Sequence, residues 1–331
     1  MVMLHIGGEH RAVVLGQDSD AKYMRSLGIS LHGYIDGVEN ISGTLQARID
    51  NMIQASETEG QLIFAWGWQS AVVLSRIKSQ NPIIAYVDAI DTNKSLTEKS
   101  MTVITPSLLT TNLLLAQDYS KIHVAEPLIG LKPISLVPDR NAVKDHLKVD
   151  RSRIVSILGE AASPDSIVSM AFRLNSINAD IALVLPESYQ FRTDVIKRAE
   201  SFQVSDLIRD LPTTLRSVDV LATADAAWVP DSPEYAQTSG VLGTLSAAWE
   251  GVPLAVSNTH AAAEIPIIGK RIAWAQDELE VGGWLLKLIQ EPNYVLQETL
   301  ELAHKVRAIA SPARFVEGLQ LRIPSAVRFR I

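Results

Sequence analysis

The sequence predicts an α/β protein built from doubly wound parallel sheets, and three observations carry that reading. Short runs rich in Val, Ile and Leu recur along the chain without alternating with polar residues, which marks strands covered on both faces. Segments with helical spacing and helix-start residues lie between them, so strand and helix take turns, as in a parallel sheet flanked by helices. Apolar residues make up 47% of the chain, enough for real cores and too many for disorder.

The elements follow in order. Strands are expected over 3–6, 12–15, 62–65, 83–87, 102–104 and 122–124, then over 154–158, 181–185, 220–221 with 226–229, and 254–256. A helix over 21–27 begins after the capping cluster Asp18-Ser19-Asp20, whose side chains can accept from free helical amides. Another, over 167–174, follows Ser163-Pro164-Asp165, where proline suits the first helical turn. Helices are also expected over 193–202, 242–249, 296–309 and 315–321.

The chain has 331 residues, which suits two domains of about 150 each. Pro133 and Pro138 break the pattern, and a charged stretch leads from Asp139 into a fresh strand near Arg153. The expected division is a shortened Rossmann-like domain over 1–135, a second over 136–310, and a tail over 311–331 placed to cross back to the first, with a cleft between the two. Net charge is −7 with acids and bases intermixed, which points away from a nucleic-acid backbone as partner. The absence of cysteine excludes disulfides, thiolate metal sites and cysteine nucleophiles, and fits a cytoplasmic location. The apolar start MVMLHIGGEHR is too short for a signal peptide, and no apolar run is long enough for a transmembrane segment.

Several segments combine a strand end with glycine or polar residues. Gly7 and Gly8 follow the first strand; they would let backbone approach a ligand closely, or form a plain turn. Gly159, Glu160 and Asp165 follow the strand at 154–158. Thr238-Ser239-Gly240 precede the helix at 242–249, which carries Ser246; amides at such a helix start can hold an anion. Trp66 and Trp68 flank Gly67 after a strand, placed to stack on a sugar or a base or to pack between domains. Asp88 ends another strand and His260 sits in a polar loop; these are the catalytic candidates, as base or ligand contact. No cluster has metal-ligand spacing and no Gly-x-Ser-x-Gly elbow occurs.

The order of segments over 151–310 resembles the donor-sugar half of retaining nucleotide-sugar glycosyltransferases of the GT-B fold (glycosyl transferases group 1). The likeness is weaker over 60–150, and over the first 60 residues it extends only to general order. Ala248-Trp249-Glu250-Gly251-Val252-Pro253 keeps the ending of the family's Ala-x-Ala-x-Gly-x-Pro signature, and Glu264-Ile265 closes the next loop in the same way. The resemblance implies a nucleotide-sugar as donor substrate, retention at the anomeric carbon, no cofactor and no obligatory metal. It also marks the chain as divergent. Where the family carries an Arg and a Lys on the donor pyrophosphate, this chain has Glu160 and Asp165. Where it carries two Glu, this chain has Thr238 and Ser246. The substitutions leave open a non-catalytic scaffold that binds carbohydrate or a partner. They also leave open a sugar-phosphate enzyme such as an epimerase, with Asp88, Glu160 and His260 as acid/base groups.

Overall fold

The structure, a computed structural model, describes residues 11–15, 30–35, 47, 51, 63–76, 82–87, 90–91, 95–97, 101–105, 108–117, 119, 122–124, 138–151, 153–159, 162–187, 189–212, 214–231, 241–257, 273–275 and 278–310. The strand expected at 3–6 and the helices expected at 21–27 and 315–321 lie outside them.

Three parallel sheets are present among the described residues. β1 (Arg11–Leu15) pairs with β2 (Ser30–Ile35). β3 (Ile63–Trp66), β4 (Ile83–Tyr86), β5 (Thr102–Thr105) and β6 (Ile122–Val124) form a four-stranded sheet in sequential order. The third sheet contains β7 (Arg153–Ile157), β8 (Ile181–Val184), β9 (Ile208–Arg209), β10 (Ala226–Val229), β11 (Leu254–Ser257) and β12 (Ala273–Ala275). Its spatial order is β9-β8-β7-β10-β11-β12, with every neighbouring pair parallel. Renumbered from β7, that is the 3-2-1-4-5-6 order of nucleotide-binding sheets.

The third sheet is covered on both faces because its strands alternate between two cores. Val155 and Ile157 of β7, with Ile181 and Leu183 of β8, enter one core with α4 (Pro164–Ser176), α5 (Arg192–Ser201) and α8 (Glu278–Gln290). Ile154, Ala182 and Val184 enter the other with α3 (Arg140–Leu147) and α6 (Ser217–Thr223). Period-two alternation between two buried faces explains why the strands read as unbroken apolar runs. α7 (Val241–Glu250) packs along the last described helix, α9 (Pro292–Ile309), and Arg307 Nε donates to the carbonyl of Trp249 at 2.7 Å. In the four-stranded sheet, Ala65, Ala85 and Val103 share a core with α1 (Trp68–Leu74) and with Leu114 of α2 (Leu108–Ala116).

One reading of the sequence needs correction. Val220 and Leu221 are helical, within α6, rather than part of a strand. Both side chains are buried, Val220 in the second core, and Asp219 at the third helical position accepts from the amide of Arg216 at 3.1 Å, closing the helix start. The charged stretch after Asp139 contains α3; Asp139 caps it by accepting from the amide of Asn141 at 3.0 Å.

The amino-terminal edge of β7 and β10 is fastened by Asp225. Its Oδ2 accepts from Arg140 Nη2 at 2.6 Å and from the amide of Ile154 at 2.8 Å, and its Oδ1 accepts from Arg153 Nη1 at 2.8 Å. One nearly buried carboxylate thereby ties α3 and both central strands together.

Candidate functional site

The candidate site lies at the opposite edge, where the chain leaves the carboxyl ends of β7 and β10. β7 continues through α4 to β8 on one side, and β10 through α7 to β11 on the other. Connections diverging in this way open a crevice between the two strands, where open α/β sheets bind ligands.

The walls of that crevice are built from backbone. Leu158 extends the ladder by one bond, donating its amide to the carbonyl of Trp228 at 2.8 Å. At Gly159 the chain turns away with φ +103°, a conformation that side chains with a Cβ rarely adopt. The loop returns at Ser163, whose amide donates to the carbonyl of Asp231 at 2.7 Å, and α4 starts at Pro164. Tyr189 holds the loop from beneath, its hydroxyl donating to the carbonyl of Ala162 at 2.9 Å. Burial, and then the negative charge of Asp194, push the Tyr189 phenol above its ordinary range, so it remains a donor at neutral pH. α7 closes the other wall. A Cβ on Gly243 would come within 3.3 Å of Leu158 Cδ2, so the missing side chain lets the start of α7 approach the end of β7. Half-buried Ser246 lies one turn further along the same helix face.

Gly243 of α7 thus sits against Leu158 at the end of β7, and Asp165 lies in the first turn of α4, just after the Gly159 turn. Asp165 does not stand as a lone negative charge. It is exposed, and it accepts a charged hydrogen bond from Arg198 Nη1 of α5. Next to it, the Ser166 hydroxyl is buried in the first turn of α4 with no hydrogen-bond partner. Trp66 belongs to the four-stranded sheet, where its side chain is 43% exposed, whereas Trp68 is only 8% exposed and packs in the core. The two tryptophans, paired in sequence, are therefore different in kind. Gly7, Gly8, Asp88, Glu160, Thr238, Ser239, Gly240 and His260 lie outside the described residues. Tyr189 and Arg198 were not found from sequence. Their partners lie 27 and 33 residues away, and no local pattern announces such a contact.

Among the described residues no group of three His, Asp or Glu side chains is placed to hold a metal ion, and no helix is long and apolar enough to cross a membrane.

No protein-family model and no curated protein sequence matches the chain. Solved structures do. The Anabaena protein Alr3699/HepE, solved in complex with UDP and glucose, superposes with a TM-score of 0.67 at 11% identity, covering 93% of this chain and 90% of that one. A glycosyltransferase from Rickettsia africae gives 0.60 at 12% identity, covering 96% and 98%. A putative UDP-N-acetylglucosamine 2-epimerase from Listeria monocytogenes gives 0.57 at 14% identity, covering 93% and 85%. At such identities the likeness establishes the fold: Rossmann-like parallel sheets arranged as in GT-B proteins.

Proposed function

We propose that this chain is a glycosyltransferase-like protein that binds a nucleotide-sugar at the carboxyl edge of β7 and β10 and transfers the sugar to an acceptor with retention. In this reading residues 136–310 form the donor half and residues 1–135 the acceptor half. The observation that carries it is the strand order: β7 and β10 flank the reversal of the sheet, with the Gly159 turn at the end of β7 and Gly243 of α7 against Leu158. The UDP and glucose bound by the Anabaena protein of the same fold support the ligand class.

The chain's own groups divide the work. Gly159 leaves room for a diphosphate to reach the backbone. Free amides at the starts of α4 and α7 supply the positive ends of helix dipoles. Ser246 offers a hydroxyl to the nucleotide ribose. Arg198 offsets the charge of Asp165, which would otherwise oppose the diphosphate; both side chains are exposed, so solvent and salt screen that opposition. Transfer breaks the bond between the anomeric carbon and the diphosphate oxygen and forms one to the acceptor oxygen. The acceptor's proton leaves with the diphosphate. Catalysis rests on positioning and on stabilising that leaving group.

A second reading, a binding scaffold without turnover, is favoured by the residues Glu160, Asp165, Thr238 and Ser246 at the positions where the resembled family carries two cations and two acids. One experiment separates the two. Calorimetry with UDP, ADP, GDP and their sugars should show weak but saturable binding of one nucleotide series, and an assay of released nucleoside diphosphate should show slow turnover. Binding without release selects the scaffold. Conversion of UDP-N-acetylglucosamine to its 2-epimer selects epimerase chemistry, and absence of nucleotide binding removes the proposal.

A further inference from the structure

The carboxyl end of the four-stranded sheet carries an aromatic surface that the donor site does not use. We propose that Trp66, backed by Tyr86, is a platform for a pyranose ring, and that the acceptor is therefore a carbohydrate. The acceptor role rests on the donor reading above; the platform itself does not.

The indole is held in place. Trp66 ends β3 and is in register with Tyr86 of β4. The two rings stack with centroids 4.9 Å apart and planes inclined by 19°, and Phe64 lies 6.1 Å away on the same side of the strand. Tyr86 is fully buried, so it supports the indole from a fixed position. Despite this support, nearly half of the Trp66 side chain faces outward. Trp68, two residues on, shows that the same segment can bury an indole completely enough to serve the core.

The space beside the ring is open. Gly67 follows with φ +80°, and a Cβ built there would meet no atom within 4 Å. Its amide is already engaged with the carbonyl of Tyr86 at 2.9 Å, so the turn is fixed while its outer side stays bare. A rigid, half-exposed indole beside a bare turn at a strand's carboxyl end suits a flat ligand with an apolar face and a wet rim. A pyranose has this character: axial C–H groups line one face and hydroxyls ring the edge. Aromatic side chains favour such offset, face-on contacts.

The test uses the full chain on an array of neutral and N-acetylated oligosaccharides, with and without saturating UDP. The wild type should bind a subset of glycans. Trp66→Ala should weaken that binding at least about tenfold, as expected for loss of an aromatic anchor, while Trp66→Phe keeps most of it and neither variant changes UDP affinity. Should Trp66→Ala fail to fold, glycan-induced shifts of the Trp66 indole N–H signal in the wild type, assigned with Trp66→Phe, give the same answer. The platform is overturned by a wild type that binds no glycan, by a folded Trp66→Ala that binds as well as the wild type, or by an indole signal that glycan leaves unmoved. Loss of UDP affinity in Trp66→Ala overturns it too, since the ring would then carry a nucleobase. Trp66-dependent glycan binding by a chain that takes no UDP keeps the platform and removes the donor reading.

Discussion

The two edges of the strand pair β7–β10 are built on opposite plans. At the amino edge a carboxylate, two guanidinium groups and a backbone amide close on one another through Asp225. At the carboxyl edge the corresponding space is lined by turns and helix starts, with Gly159 in a left-handed conformation and Gly243 lacking a side chain against Leu158. Among the described residues one edge is tied by charged side chains, the other by main-chain bonds of its loops. A parallel sheet needs both, because strands fixed at one end can present loops at the other without losing register.

The largest effect is expected at the fastened edge. Asp225→Asn removes the charge that Arg140 and Arg153 share and weakens three hydrogen bonds. Because both arginines remain partly exposed, the loss should be about 2–3 kcal/mol rather than the full cost of a stranded buried ion. A lower urea midpoint at unchanged slope would register it. UDP affinity should not change; if it falls in step with stability, the two edges are coupled and the contrast fails.

Gly159→Ala should give the converse. A Cβ at φ +103° strains the turn by about 1–2 kcal/mol, and relief of that strain displaces the loop that faces the ligand. UDP affinity measured by calorimetry should drop by more than the stability change accounts for. Equal affinity in the variant would show that the Gly159 turn is not part of the nucleotide site.

These two positions also show what can be read from sequence. A short apolar run followed by glycine identifies β7 and its turn, since burial on both faces calls for an unbroken apolar run and the chain leaves this strand at positive φ. The same logic finds β8, β10 and β11. It misses β9, which has only two residues, and β2 and β12, whose sequences SLHGYI and AWA hold no run of Val, Ile or Leu. It misassigns Val220 and Leu221, because two adjacent apolar residues fit a strand and a buried helix face equally well. In the proposed site, Gly159 and Ser246 follow from their place in the strand–helix order. Tyr189 and Arg198 are not, because their roles arise from tertiary contacts to Ala162 and Asp165.

Arg198 provides a smaller test of the carboxyl edge. The pair with Asp165 is exposed on both sides, so Arg198→Gln should change stability by no more than about 0.5 kcal/mol. It does free a carboxylate beside the proposed diphosphate. UDP affinity should fall about two- to fivefold at low salt, and the difference should shrink as salt screens it. An affinity that is unchanged at every ionic strength would place the phosphates away from α4.

The last effect concerns stability alone, at the start of α6, the helix that leads into β10 and begins beside Glu187, beyond the carboxyl end of β8. Asp219 accepts from the Arg216 side chain through Nε at 2.9 Å and Nη2 at 2.7 Å. Those bonds hold its carboxyl below the ordinary carboxylate range; partial burial opposes the shift, and the Arg216 amide adds to it. With the folded value depressed, the unfolded chain takes up the proton first as pH falls. The stabilisation is therefore complete above about pH 4 and is lost as pH drops through the folded value. Asp219→Asn should cost about 0.5–1 kcal/mol at pH 7, within the range for a helix-start contact. Urea midpoints of wild type and variant should converge as the pH is lowered below about 4. A gap that persists under acid would mean that the side chain acts through packing at the start of α6 rather than through its charge.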